Sequence, residues 1–189
     1  MDYGWSGKLV RLVPLDEARH MENAQRWIND PRVTSTLGIT AMPITLTQER
    51  EFFTRGDKGN PSEITFAIET LDGRHLGFSG VHQISWVNRH ALTGSLLGNP
   101  EDWGKGYGSE AAAIRAWFCF EVLNLSMLKT APLQGNDASR RMSAKLGFAE
   151  YGVLPKAYFR LGEWKDEHLL YCTKEMWLAT TGGSKPGSR

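Results

Sequence analysis

Gly104, Gly106 and Gly108 alternate within Asp102-Trp103-Gly104-Lys105-Gly106-Tyr107-Gly108-Ser109-Glu110, and an apolar recurrence at helical spacing begins directly behind them. Glycine lets a backbone approach a ligand closely. The unpaired amides of a helix start present donors and the positive end of a dipole, so the arrangement suits a phosphate, with Lys105 able to add a charge. Two nucleotide chemistries lose support. No Gly-Lys-Ser/Thr closes the loop as in a Walker motif, and the spacing is not the Gly-x-Gly-x-x-Gly of dinucleotide binders. A turn that only redirects the chain would use the same glycines.

The other reactive side chains are dispersed. His82 lies in a strand pattern and carries an imidazole, which titrates at about pH 6.5 when unperturbed and could move a proton. Asn136 or Asp137 can cap a helix that ends at Leu146, with Gly147 free to turn left-handed behind it. Cys119 and Cys172 lie in apolar surroundings without metal-ligand or redox spacing, which reads as inert core thiols.

The elements that must position these residues follow from periodicity. Leu9 to Val13 alternates as a short strand that Pro14 ends. Asp16 caps a helix through Ile28, stopped by Asn29-Asp30-Pro31, and Thr45 with Gln48 forms a capping-box signature before a helix at Glu49 to Arg55. Pro31 to Pro43 is then a loop. Ile64, Phe66 and Ile68 face one way and Thr65 and Glu69 the other, as in a strand. Asp72-Gly73 makes a tight turn, and His75 to Ser85 and Ala91 to Leu97 continue an antiparallel meander about Asn88-Arg89. Ser109 to Leu123 is a helix and Leu128 to Leu133 a strand, so the connection is a parallel crossover. Asp137 to Leu146 is helical, and Phe148 to Leu154, Tyr158 to Leu161 and Glu167 to Thr173 are late strands around Gly162.

A chain of 189 residues, 41% hydrophobic with eight Phe and seven Trp, has material for one core and is short for two. We therefore expect a single domain over residues 1–179. From Thr180 the residues are too small and polar to order themselves, which predicts a flexible tail at 180–189. Lys plus Arg number 22 against 21 acids, so no global field draws nucleic acid or an anionic membrane. Met1 to Arg11 lacks a signal-like apolar stretch and no run approaches the roughly 18 residues of a membrane span, so the expected location is cytoplasmic.

Trp103-Gly104-Lys105 followed by Gly106-Tyr107-Gly108 resembles motif A of the GNAT acyltransferase superfamily, Gln/Arg-x-x-Gly-x-Gly/Ala. Gly80-Val81-His82-Gln83-Ile84 with Trp86-Val87-Asn88-Arg89 resembles the central hairpin of its RimJ/RimL branch. Asn136-Asp137-Ala138-Ser139 and Lys145-Leu146-Gly147-Phe148 resemble two later segments of that branch, and the likeness extends from about Leu9 to Tyr171. It implies an α/β (α+β) fold: a mixed central sheet of about seven strands, splayed between strands 4 and 5 and flanked by about four helices. Trp103 departs from the general Gln or Arg, so no guanidinium comes from that position.

The resemblance implies acetyl-CoA as cofactor and an amine as acceptor. Its pyrophosphate would lie on amides from Gly104 to Ser109, within the stretch Trp103, Gly104, Lys105, Gly106, Tyr107, Gly108 and Ser109. Its pantetheine arm would lie in the splay as an added strand along Leu96, Leu97 and Gly98, where a backbone amide could polarise the thioester carbonyl. Asn136 would bond the pantetheine and Ser139 would protonate the departing thiolate. Arg140 could reach the phosphates, though with Arg141 it also fits a solvated helix face.

A neutral amine is needed, and the residues leave the base open. The glutamate of the RimL type falls where this chain has Tyr158, so His82 is the first substitute, Tyr158 an alternative through water or as proton donor, and Glu69 and Glu150 lie further out. The branch implies a protein or peptide N-terminal amine. The stretch from Asn124-Leu125 through Phe159 and Gly162 to Asp166 also resembles spermidine acetyltransferases, and a small polyamine would want carboxylates such as Glu17, Glu22, Glu49 and Glu51. The displaced glutamate leaves room for a catalytically silent acyl-CoA sensor. Edge strands near the C-terminus could pair across a homodimer.

Overall fold

The computed structural model describes residues 5–39, 42–57 and 61–187. The elements are β1 (Val10–Pro14), α1 (Glu17–Ile28), α2 (Pro31–Thr34), α3 (Leu46–Asp57), β2 (Ile64–Thr70), β3 (His75–Ser85), β4 (His90–Leu97), α4 (Tyr107–Trp117), β5 (Met127–Thr130), α5 (Asp137–Lys145), β6 (Ala149–Arg160), β7 (Glu163–Thr173) and α6 (Lys174–Thr181). One seven-stranded sheet runs β1-β2-β3-β4-β5-β7-β6. Among the described residues only the β4/β5 pairing is parallel, as the intervening α4 crossover requires.

The local signals act as read. The Asp16 side chain accepts from the Arg19 amide at 3.1 Å, and the Thr45 amide donates to Gln48 Oε1 at 2.9 Å while the Gln48 amide returns to Thr45 Oγ1 at 3.3 Å. The main core lies between the sheet and α4, with Ile114, Phe118 and Phe120 against Leu12, Ile68, Leu76, Val81 and Leu128. A smaller cluster of Met21, Ala24 and Phe53 holds α1 and α3 on the opposite face, against Phe78. Both cysteines are buried, and burial pushes each thiol up to about 12.

Several boundaries move. The expected loop after Pro31 opens with the short α2, capped by Asp30; of the segment that followed, residues 40–41 lie outside the described residues. Helix α4 starts at Tyr107, because Gly106 is its left-handed N-cap, and its end widens into a π-helical turn, Phe118–Val122. Strand β6 is continuous through two register shifts rather than two strands. Of the expected tail, residues 188–189 lie outside the described residues; Thr180 and Thr181 form the last turn of α6, where their hydroxyls donate to Met176 and Trp177 carbonyls, and Lys185 Nζ lies 5.5 Å above the Trp117 ring. That helix is held by Trp177, whose ring lies 5.1 Å from Phe120. Among the described residues no helix is long and apolar enough to cross a membrane.

Glu69 does not face solvent. A register shift follows Ile68, and α1 covers the second face of β2, so Glu69 is 0% exposed and meets Arg11, Arg19 and His20. Burial alone would push its carboxyl up. Hydrogen bonds from His20 and Arg11 and the charges of Arg19 and Arg11 overcome this and hold it below the ordinary range. A carboxylate so engaged is unavailable as a base.

Candidate active site

The site is built on an opening in the sheet. β5 pairs with β4 only at His90, Ala91 and Leu92, while β4 continues to Leu97. The Gly98 amide donates to the Leu76 carbonyl at 2.9 Å, which fixes the hydrogen-bond parity of β4 against β3. Leu96 and Gly98 therefore spend their backbone groups on β3, and Ser95 and Leu97 turn theirs into the opening. This corrects the expectation that Leu96 and Gly98 offer amides to a ligand. Gly98 is glycine for another reason: a Cβ there would stand 1.8 Å from the Trp27 ring. The Trp103 indole nitrogen donates to the Leu97 carbonyl at 3.0 Å, so Trp103 closes the outer end of this free edge.

The glycine loop follows at once. Gly104 and Gly106 have φ of +79° and +91°, a conformation that glycine adopts without strain. Gly106 offers no side chain to cap α4, so the first-turn amides of Tyr107, Gly108 and Ser109 have no capping side chain. Lys105 is not a free charge, because Nζ lies 3.2 Å from Asp102 Oδ1. Asp102 also takes a two-pronged bond from Arg74, at 2.7 and 3.2 Å, and this holds its carboxyl below the usual range. Arg74, on the β2–β3 turn, thus braces the base of the loop through Asp102, a contact that no local pattern in the sequence could reveal. Glu110 accepts from the amides of Lys8, Leu9 and Val10 at 2.7–2.8 Å and fastens the helix start to β1.

On the far side of the opening, Asn136 caps α5 by accepting from the Ser139 amide at 3.1 Å and donates through Nδ2 to the Thr36 carbonyl at 3.2 Å. Thr36 begins a short roof. A Cβ on Gly38 would lie 3.2 Å from the Tyr158 hydroxyl and 3.8 Å from Glu167 Oε1. Arg160 donates to the Leu37 and Ile39 carbonyls and stacks at 5.0 Å over Tyr158. Glu167 is placed by a bridge between β7 and Leu133, just before Asn136. Burial and then the Glu167 charge push the Tyr158 phenol above its ordinary value, so Tyr158 stays protonated and suits a donor better than a base. The roof thus links Asn136, which holds the Ser139 amide, to Tyr158 and Glu167. The alternation of β7 alone could not single out Glu167 among its neighbours.

His82 faces the same side of the sheet as Gly80 and Leu92, but β4 stands between it and that group. Its Nδ1 lies 3.3 Å from Glu63, and its ring covers Gly80, where a Cβ would be 2.1 Å from Nε2. Glu150 and Arg140 belong elsewhere: Glu150 Oε2 meets His168 Nδ1 at 2.8 Å and Arg140 at 3.5 Å in a groove between α5 and β6, which corrects Arg140 as a phosphate contact. Of the four early acids, Glu17 pairs with Arg50 and Glu49 alone is buried, on the α3 side that carries Phe53. Burial pushes the Glu49 carboxyl above its ordinary range.

A free edge of amides at Ser95 and Leu97, leading to a helix start without a side-chain cap, fits a ligand with amides along one end and phosphates at the other. Fold and opening define a class of proteins that seat an amide- and phosphate-bearing ligand across a split sheet. The chain belongs to the acetyltransferase (GNAT) domain family, which it matches over residues 10–149. It is 32% identical over 100 residues to the uncharacterized N-acetyltransferase YoaA of Bacillus subtilis (strain 168), covering 52% of this chain and 56% of that protein. It is 30% identical over 118 residues to the spermidine N(1)-acetyltransferase of Escherichia coli (strain K12), covering 62% of each. These matches span less than two thirds of both relatives. The spermidine N-acetyltransferase of Vibrio cholerae, solved in complex with CoA and spermine, superposes with a TM-score of 0.80 at 20% identity, over 89% of this chain and 98% of that one.

Proposed function

We propose that this chain is an N-acetyltransferase that moves the acetyl group of acetyl-CoA onto a primary amine, and that the amine is small and polycationic. The observation that carries the reading is the roofed acceptor side, where Thr36–Ile39 lie over Tyr158 and Glu167 and are tied down by Asn136 and Arg160. A peptide N-terminus, the acceptor that the RimJ/RimL likeness implies, trails a polypeptide and needs an open groove. A short polyamine needs only length and carboxylates, and Glu167 and Glu49 lie on that face. Spermidine acetylation by the Escherichia coli relative agrees. The RimJ/RimL affiliation, a cytoplasmic location and a homodimer through the exposed edge of β6 remain parts of the proposal.

The thioester supplies an activated acetyl group. Ser95 and Leu97 present amides to its carbonyl, and the amides of Gly104 to Ser109, with Trp103, Lys105 and Tyr107 shaping the loop, hold the phosphates. An alkylammonium has a pKa of about 10.4 and must give up a proton before attack. Glu167 accepts it and releases it to solvent; His82, on the same face but beyond β4, is the alternative base that the pH–rate profile tests. The nitrogen lone pair forms the C–N bond while the carbonyl π pair moves onto oxygen, and the return of that pair breaks the C–S bond. Sulfur leaves with the bonding pair and ends protonated through Ser139 or Tyr158, while nitrogen loses its second proton.

The test is free-CoA release from acetyl-CoA with spermidine, spermine, diaminobutane, an aminoglycoside and peptides of differing N-termini, beside calorimetric titration of acetyl-CoA. Turnover with the polyamines supports the reading; turnover with peptides alone replaces it. Cofactor binding without turnover makes the chain an acyl-CoA sensor, and absent binding removes the role of the glycine loop.

A further inference from the structure

Arg115 projects from α4 into the main core and is 4% exposed. Its Nη1 donates to Ser79 Oγ at 2.9 Å, to the Gly94 carbonyl at 2.6 Å and to Ser95 Oγ at 2.5 Å. Nε is buried without a partner. Among the described residues no carboxylate pairs with this guanidinium, and its ionisable neighbour Cys119 is a thiol that burial pushes up to about 12 and so keeps neutral. A buried charge without a counter-ion is costly, and an apolar side chain of similar volume generally serves packing better. The rest of this helix face follows that rule, with Ala111, Ala112, Ile114 and Ala116.

The guanidinium also sits at a particular place. Gly94 and Ser95 are where β4 has left β5, and Ser95 and Leu97 carry the amides turned into the opening. A charge behind that edge, in apolar surroundings, acts far more strongly than it would in water.

We propose that Arg115 is an electrostatic positioning residue for acyl transfer, holding Ser95 in place and stabilising the negative charge that gathers on a thioester oxygen bound at the Ser95 or Leu97 amide. The inference deepens the proposed function and rests on the placement of the cofactor in the β4/β5 opening. Arg115 does not touch the acyl group; it acts through the strand and through space. Oxyanion donors of this kind are worth about a hundredfold or more in rate, and a charge one layer further back about tenfold or more.

The test uses two thioethers that differ only in charge at the acyl position, S-carboxymethyl-CoA and S-carbamoylmethyl-CoA, titrated calorimetrically. The wild-type chain should prefer the carboxylate by about tenfold. Arg115→Gln, which keeps a donor for Ser79 and Gly94 but no charge, should lose that preference, and Arg115→Lys should keep most of it. Arg115→Met serves as the second uncharged variant if Gln fails to fold, and should melt no lower than the wild type. With spermidine, Arg115→Gln should lower kcat about tenfold or more with KM for acetyl-CoA within about twofold. A wild type without preference, or a Gln variant that retains it, overturns the proposal. If the preference holds but no amine is acetylated, the acceptor reading fails and the Arg115 role stands; if polyamines turn over without any preference, the reverse is true.

Discussion

Asn136 Nδ2 donates to the Thr36 carbonyl at 3.2 Å, joining the first turn of α5 to the roof across 100 residues of sequence. Asn136→Asp keeps a good N-cap for the Ser139 amide but sets a carboxylate against a carbonyl. The roof should loosen, and KM for the amine should rise about tenfold, the equivalent of about 1.4 kcal/mol, with little change in melting temperature. Asn136→Ala should in addition cost about 1 kcal/mol of stability through the lost cap. Steady-state kinetics beside urea unfolding separates the two effects, and unchanged amine KM in Asn136→Asp would dissociate the roof from acceptor binding.

Ser139 sits on the same cap, so its backbone is fixed while its hydroxyl is available for chemistry. Ser139→Ala should lower kcat by about a hundredfold, within the usual range for a general acid, and leave the calorimetric Kd for CoA within about twofold. Normal turnover would remove Ser139 from the mechanism and leave the sulfur to Tyr158.

Tyr158 and Glu167 are electrostatically coupled, and the signs follow. Burial and the Glu167 charge both raise the phenol, so Glu167→Gln should shift its ultraviolet titration to lower pH, read as the difference from a Tyr158→Phe background. The same Gln variant should lose the acid limb of the pH–rate profile, whereas His82→Ala should retain it. A limb that survives Glu167→Gln and vanishes in His82→Ala would return the base role to His82.

The sequence discloses what is local. Asp16, the Thr45 and Gln48 pair and the glycine loop each act within a few residues and each opens a helix, with α1 bounded as expected and α3 and α4 starting at Leu46 and Tyr107 rather than Glu49 and Ser109. It is silent where contacts join distant segments. Arg74 reaches Asp102 across 28 positions, Glu167 meets the roof only after β7 pairs with β6 and bridges Leu133, and β4 parity depends on one bond to Leu76. Glu69 misleads for the same reason, since two-residue alternation assumes one covered face and β2 has both covered.

Gly98 is where packing, not the ligand, sets the residue. An added Cβ at 1.8 Å from the buried Trp27 ring forces either the indole or β4 to move, and overpacking of this kind costs about 1–3 kcal/mol. Gly98→Ala should lose about that much stability by urea unfolding, and Trp27→Leu in the same chain should recover part of it, a coupling expected of residues in contact. Additive losses would place the cause outside this contact.

His75 predicts a pH dependence of stability distinct from that of the carboxylates. Its Nε2 donates to the Gly77 carbonyl at 3.0 Å, and its ring lies among His20, Trp27 and Phe78 with centroids 4.6–4.9 Å apart. Burial, then the neighbouring His20, lowers it from 6.5 to about 4. The unfolded chain therefore takes up a proton on this residue as pH falls through about 6.5, while the folded chain does so only near 4. Its contribution is complete above about pH 6.5 and falls away from there down to about 4, by about 3 kcal/mol at 1.36 kcal/mol per pH unit. Glu69, a depressed carboxyl, acts in a lower window: its stabilisation is present above about pH 4.5 and is lost as pH falls further. His75→Phe should therefore flatten the urea-unfolding free energy between pH 6.5 and pH 4.5 while leaving the steeper acid loss below. An unchanged slope in that upper interval would show that His75 is protonated in the folded chain.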